Sequence, residues 1–217
     1  MTVTIDVWFD YICPFSLITR RVLQEALPRQ DVVLEWHPFE VNPDCAVEVG
    51  EYPRGIWEAE VRPLAERVGV ELPSPPGTPL RRSRMAFLGY QFALDHGVGT
   101  AYTERVSTAY FHEWADISDP VELTRLAAEV GLDPRAYRAA ILSERYTRRH
   151  LDAVAEARGR HGVTMVPTVA IGPWRREGVP GKEELLRAVE RAAATAPTPT
   201  TPLESVPTTV ATLARVA

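Results

Sequence analysis

The chain opens on an alternation. From Val3 to Phe9 apolar and polar side chains take turns, the two-residue period of a half-buried strand. From Pro14 through Leu27 the apolar positions Phe15, Leu17, Ile18, Val22, Leu23 and Leu27 recur at helical spacing. Val32 to Trp36 (VVLEW) is a second β-rich run, and the HPFEVNPD that follows carries two prolines, an Asn and an Asp, which take the chain out of the sheet as a loop. Strand, helix and strand in that order predict a βαβ start. From Ile56 to about Arg160 the period is almost wholly helical, broken by LPSPPGTP at 72–79, HGVG at 96–99 and GLDP at 131–134, which predicts a block of four or five helices. Asp119-Pro120 and Asp133-Pro134 mark two of their starts, each an N-cap residue followed by proline at the first helical position. β character returns over Thr164 to Ile171 (TMVPTVAI), with Pro167 expected at the strand entrance because it cannot donate a ladder bond. Gly181 to Ala193 reads as a closing amphipathic helix. The Pro- and Thr-rich residues from Ala194 onward read as a tail, either disordered or packed as an arm on its own domain or a neighbour.

Composition narrows the class. A chain of 217 residues suits one domain, or one domain carrying an insertion. Its 45% hydrophobic and 24% charged residues and net charge of -5 are those of an average soluble globular protein and point away from nucleic acid as a partner. Lys182 is the single lysine among 24 basic residues, so the basic side chains are almost all forked donors suited to carboxylates and phosphates. No apolar stretch approaches the roughly 20 residues that cross a bilayer, which argues against a membrane association. The first residues show no basic, apolar leader pattern, and the expected location is the cytoplasm. The two cysteines, Cys13 and Cys45, have different surroundings, and cytosolic thiols stay reduced, so no structural disulfide is expected.

The chemistry concentrates in FDYICPFSL at 9–17. Cys13 ends a strand, and the next helix begins at Pro14, which places its sulfur near backbone N–H groups that lack intrahelical partners. Those donors and the helix dipole favour a thiolate, with a pKa expected at about 3.5 to 7.5. Ser16 lies one turn on, facing the same side, where a second Cys would close a redox pair. A hydroxyl cannot attack a mixed disulfide, but it can donate a hydrogen bond to sulfur.

Five segments in order carry a resemblance: FDYICPFS after the first strand, HPFEVNPD after the second, AYFHEWADISD at 109–119, AAEVGLD at 127–133, and GVTMVPTVAI before the last helix. Together they make the chain, from about Val3 to Ala193, similar to the DsbA-like thioredoxin superfamily. The likeness is to the branch that holds FrnE, 2-hydroxychromene-2-carboxylate isomerase and the kappa-class glutathione transferases. The resemblance implies an α/β thioredoxin-like fold with a large all-helical insertion. Residues 1–45 and 160–193 would form the discontinuous thioredoxin-like domain, 46–159 the insertion and 194–217 the tail. It implies catalytic roles for Cys13 and Ser16, and a cis bond before Pro167 that lets the backbone of Val166 face Cys13 and a ligand. His37 and Asn42 fall on the loop that folds over the site in the family, with Asn42 equally suited to stabilising the turn before Pro43. Cys45 is the candidate for a resolving thiol. Arg82, among Arg81, Arg82 and Arg84 at a helix start, is a candidate for holding an anionic group, or else part of a solvated face. His112 and Trp114, at the exposed end of an aromatic cluster, are pocket candidates, and Tyr11, Pro14 and Phe15 complete the expected substrate-contacting set.

A lone thiolate is suited to adding reversibly to an electron-poor double bond, which lets that bond rotate before sulfur leaves. The leading expectation is therefore a cis/trans isomerase of a small conjugated, polyketide- or cinnamoyl-type substrate, free or carrier-bound, in secondary metabolism. A monothiol disulfide oxidoreductase is the runner-up, followed by a glutathione-transferase-like enzyme and a non-enzymatic binding module. No cofactor is required and no metal is expected, though a small thiol such as glutathione or mycothiol has a place in several of these readings. The apolar end of the tail allows a homodimer.

Overall fold

The computed structural model describes residues 2–28, 30–41, 43, 54–72, 74, 75 and 82–195. Strand β1 (Val3–Phe9) leads through the Cys13 turn into α1 (Pro14–Ala26) and returns as β2 (Val32–Pro38), parallel to β1 in the register Val3 to Val32 through Phe9 to Pro38. The helical stretch follows: α2 (Arg54–Ile56) runs through a π-helical turn at Trp57–Val61 into α3 (Arg62–Val68). It continues with α4 (Arg84–Asp95), α5 (Gly99–His112), α6 (Pro120–Glu129), α7 (Pro134–Ile141) and α8 (Glu144–Gly159). Strands β3 (Thr168–Ile171) and β4 (Trp174–Glu177) then complete an antiparallel extension, giving the order β2-β1-β3-β4, before α9 (Lys182–Thr195). The architecture is α/β with the helices inserted between β2 and β3.

The alternation of β1 sorts its side chains between two apolar clusters. Val3, Ile5, Val7 and Phe9 enter the main core, whereas Trp8 joins a second, smaller cluster with Phe39, Ala157, Val163 and Val166. The main cluster runs without a break from β1 and α1 through Phe87, Tyr102 and Ile141 of the inserted helices to Val189 of α9. The sheet and the insertion are thus separate in topology and share one core. Helix α4 is its centre, buried from Ala86 to Ala93 on all sides. Gly89 is there because a Cβ would collide with the Tyr102 and Tyr137 hydroxyls, which hydrogen-bond to each other at 2.6 Å.

Four expectations change. The helical block, expected to hold four or five helices, holds six among the described residues when Arg54–Val68 is taken as one. The second strand runs on to Pro38, two residues past Trp36. The third begins at Thr168, not Thr164, and Pro167 precedes the ladder. Strand β4 was not expected, since WRRE has no apolar period: it is an exposed edge, joined to β3 by a two-residue turn with Gly172 at φ 54. No helix among the described residues is long and apolar enough to cross a membrane. The tail from residue 196 lies outside the described residues.

Candidate active site

Cys13 is the N-cap of α1, with φ -92 and ψ 112, and Pro14 takes the first helical position as its φ allows. Its half-buried side chain packs against the smaller apolar cluster beside Trp8, and its Sγ donates to the Val166 carbonyl at 3.6 Å. The Val166–Pro167 bond is cis, and the turn it forms sets that carbonyl opposite the thiol. Ser16 is buried, and its Oγ accepts the Asp10 N–H at 3.3 Å, which leaves its O–H for the Cys13 sulfur.

The expected low pKa is overturned. Burial pushes the Cys13 thiol up to about 11, against the Ser16 hydroxyl, the Ser16 N–H and the Phe15 N–H, which favour the thiolate. The charge of Asp10 adds to the rise. Helix donors lower a thiol only where the sulfur keeps a polar or wet environment, and here apolar side chains supply most of the surroundings. The resting group is a neutral thiol.

Asp10 is the residue sequence reasoning missed. It is 1% exposed, and its carboxyl accepts the Ile12 N–H at 3.2 Å, the Val41 N–H at 2.8 Å and the Ser83 hydroxyl. Burial outweighs those bonds and lifts its pKa to about 6, with the charge of Glu40 adding to the rise. Glu40 is buried in turn. Its carboxylate accepts Arg84 Nε at 2.9 Å and His150 Nε2 at 2.6 Å, bonds that hold it below the usual carboxylate range despite burial. The signal available in the sequence was an acid directly after a strand's apolar run, three residues before the cysteine. Glu40 and His150, 110 positions apart, offer none.

The remaining candidates fall in several places. Pro14 is buried beside Cys13, and Phe15 is half-buried against the main core. Tyr11 points away from the site: it is fully buried, with its hydroxyl 3.1 Å from Thr103 Oγ1 and its ring against Phe9 and Phe87. His37 sits on β2, bonded to Asp6 at 2.7 Å and stacked on Trp8 at 5.0 Å, so Trp8 lies between it and the cluster around Cys13. Arg82 is exposed, while its neighbour Arg84 holds Glu40 and the Pro43 carbonyl. His112 is exposed at the end of α5 and lines a groove of about 350 Å³ with Leu17, Arg20 and Gln24 of α1, on the helix flank beyond its first turn. Trp114 is 60% exposed with φ 54. Asn42 and Cys45 lie outside the described residues. The structure thus gathers Cys13, Pro14, Ser16, Val166 and Pro167, adds Asp10, and leaves Tyr11, His37, Arg82, His112 and Trp114 elsewhere.

Comparison with known proteins agrees with the fold. The chain is 34% identical over 193 residues to the Bacillus subtilis (strain 168) protein YwbO, covering 87% of this chain and 96% of that one. It is 31% identical over 147 residues to a 2-hydroxychromene-2-carboxylate isomerase of Sphingobium xenophagum, covering 63% of this chain and 72% of that one. Among solved structures it superposes on a probable DsbA oxidoreductase of Streptomyces coelicolor with a TM-score of 0.72 at 20% identity, covering 94% of each chain, a likeness of fold. The family model for the DSBA-like thioredoxin domain matches residues 4–190. Its relatives include isomerases and oxidoreductases, and the chain belongs to the DSBA-like thioredoxin domain family.

Proposed function

We propose that the protein is a cis/trans isomerase of a small conjugated substrate, with Cys13 as the adding thiol. The observation that carries this reading is the placement of one thiol, with Ser16 where a second sulfur would be, against Trp8, Phe39, Val163 and Val166. An apolar wall suits the planar, electron-poor chain of an enone or cinnamoyl-type acid. The relative named as an isomerase supports the reaction class.

In this reading sulfur bonds to the β-carbon, the π pair moves to the carbonyl oxygen as an enolate, and the thiol proton passes to the carboxylate of Asp10. The former double bond rotates, the enolate pair returns, and the carbon–sulfur bond breaks as the proton goes back to sulfur. Nothing is oxidised or reduced, and no metal or bound cofactor takes part. Because the resting thiol is neutral, the proton leaves sulfur only as the electrophile arrives. Asp10 must be ionised to accept it, so activity should rise through about pH 6. The substrate would be free or carrier-bound, in the cytoplasm, within secondary metabolism.

A second reading, a monothiol disulfide oxidoreductase, is favoured by the Val166 carbonyl. That backbone edge, facing Cys13 Sγ at 3.6 Å, could pair with an extended peptide carrying a mixed disulfide. Cys45 or a small thiol such as glutathione would resolve it. One experiment separates the two: a cis-cinnamoyl thioester and a disulfide-bonded peptide are each offered to the parent and to Cys13→Ser. Isomerisation lost in the variant, with no added thiol needed by the parent, supports the first reading. Isomerisation that survives in Cys13→Ser sinks it, and turnover of the peptide alone establishes the second.

A further inference from the structure

Behind the catalytic turn lies a buried charge cluster drawn from four parts of the chain. Asp10 ends the first strand, Glu40 follows the second, Arg84 opens α4 and His150 lies in the middle of α8. Glu40 is 3% exposed and His150 0%. Arg84 spends Nε on Glu40 at 2.9 Å and a second nitrogen on the Pro43 carbonyl at 3.0 Å. His150 donates from Nε2 to Glu40, stacked on Phe87 at 5.4 Å, while its Nδ1 is buried with no hydrogen-bond partner. Arg158, also from α8, gives its guanidinium to the Glu40 backbone carbonyl at 3.1 Å and to the face of Phe39. Among the described residues of this cluster, the arginine bonded to a carboxylate is Arg84, and its partner is Glu40. Among the described residues Asp10 is held by neutral donors: two backbone N–H groups and the Ser83 hydroxyl.

We propose that Glu40 is a positioning residue for the Cys13 site: it takes the cluster's cation and holds its neighbour Val41 against Asp10, leaving Asp10 as the carboxyl that exchanges a proton with the catalytic turn. Of the two buried carboxyls, Glu40 is the one bonded to basic side chains, and it stays ionised. The other can ionise only by adding a net negative charge to a dry site, so it keeps its proton to a higher pH and can return it. The inserted helices thereby act on the sheet's catalytic turn, since Arg84 and His150 both come from the insertion. This rests on the assignment of Asp10 as the proton acceptor made above.

The test reads Asp10 directly, by carbon NMR of its carboxyl across pH, and reads Cys13 by its rate of alkylation with iodoacetamide, both in a Cys45→Ala background. In Glu40→Gln the amide still fills the space but carries no charge, so the repulsion that Glu40 exerts on an ionised Asp10 is removed. The Asp10 midpoint should fall below about 6, and any bend in the Cys13 alkylation profile should move with it. In Arg84→Gln the cluster loses its cation and the Asp10 midpoint should move the other way. Opposite shifts are what a purely structural role cannot produce, because loosening the site would admit water in both variants and move both midpoints down. An unchanged midpoint in Glu40→Gln, or shifts of the same sign, overturns the proposal. If Glu40→Gln does not fold, a fall in Arg84→Gln alone overturns it. A Cys13 profile identical in Asp10→Asn and the parent would instead reject Asp10 as proton acceptor, leaving the effect of Glu40 on the Asp10 midpoint to be judged by its own measurement.

Discussion

Helix α1 and helices α6 and α7 begin in the same way and hold different residues at the start. Each has an extended N-cap followed by proline: Cys13-Pro14 at φ -92, Asp119-Pro120 at φ -85 and Asp133-Pro134 at φ -65. Asp119 accepts the Val121 N–H at 2.8 Å and Asp133 the Ala136 N–H at 2.7 Å, closing donors that the helix leaves open. Cys13 makes no capping bond. The backbone frame is common property, and what differs is whether its free donors serve the helix or the side chain at its tip. At α1 they face a sulfur, and stability gives way to chemistry.

The sharpest way to break this contrast is Cys13→Ser, which puts a good capping residue at the start of α1. Isomerisation should fall on the order of 10³-fold or more, because the substrate loses its adding atom. Thermal unfolding should show no loss of stability, since serine is preferred at an N-cap. Retained turnover would show that Cys13 is only another cap.

Next in size is Asp10→Asn. Folded, Asp10 keeps its proton up to about pH 6, against an ordinary value of 3.8 in the unfolded chain, so the native state binds that proton more tightly. Stability from this group is therefore full below pH 3.8, declines as pH rises, and is lost above about 6. The difference is worth about 3 kcal/mol, and asparagine removes the charge while giving up one acceptor oxygen. Relative to the parent, the variant should gain up to about that amount of stability between about pH 3.5 and about pH 7, as read by denaturant unfolding at each pH. A gap between the two proteins that stays constant over that range would mean that Asp10 does not titrate in this window in the folded protein.

The other arm of the comparison predicts less. Asp119→Ala or Asp133→Ala should each cost about 1 kcal/mol in the same unfolding measurement, with Cys13 alkylation unchanged. A change in alkylation would show that the helical insertion reaches the thiol through the whole bundle, beyond the Glu40 cluster.

The sequence makes these starts legible because an N-cap and its proline are adjacent in the chain and act locally. The βαβ opening, the order of elements and the turn that carries Cys13 are legible for the same reason. Strand β4 is hidden because an exposed edge needs no apolar period. Tyr11 is misleading because an aromatic beside a catalytic cysteine looks the same in sequence whether it turns toward substrate or toward Thr103. The elevated thiol pKa depends on burial against the cluster of Trp8, Phe39, Val163 and Val166, and the state of Asp10 depends on burial beside Val41, Ser83 and Glu40. Those are contacts between distant segments, for which a single sequence carries no period and no spacing.

Helix ends repeat the contrast. Past the ends of α3 and α6 the left-handed position is filled by Gly69 at φ 72 and Gly131 at φ 84, and the next N–H turns back to Ala65 and to Ala127. Helix α5 closes similarly, with Ala115 N–H donating to Ala109 O at 2.9 Å, but its left-handed residue is Trp114 at φ 54. A bulky side chain in that conformation costs roughly 1–2 kcal/mol, and Trp114 recovers little by packing because it is 60% exposed. Glycine would relieve the strain and lose some entropy on folding, so Trp114→Gly should stabilise the fold by about 0.5–1 kcal/mol, the smallest effect expected here. The same variant tests whether the indole is retained for a ligand. If it is, KM for the conjugated substrate should rise with kcat unchanged while the protein becomes more stable, as uniform binding loss requires. A gain in stability with both kinetic constants unchanged would leave Cys13 as the terminal helix residue whose identity chemistry dictates.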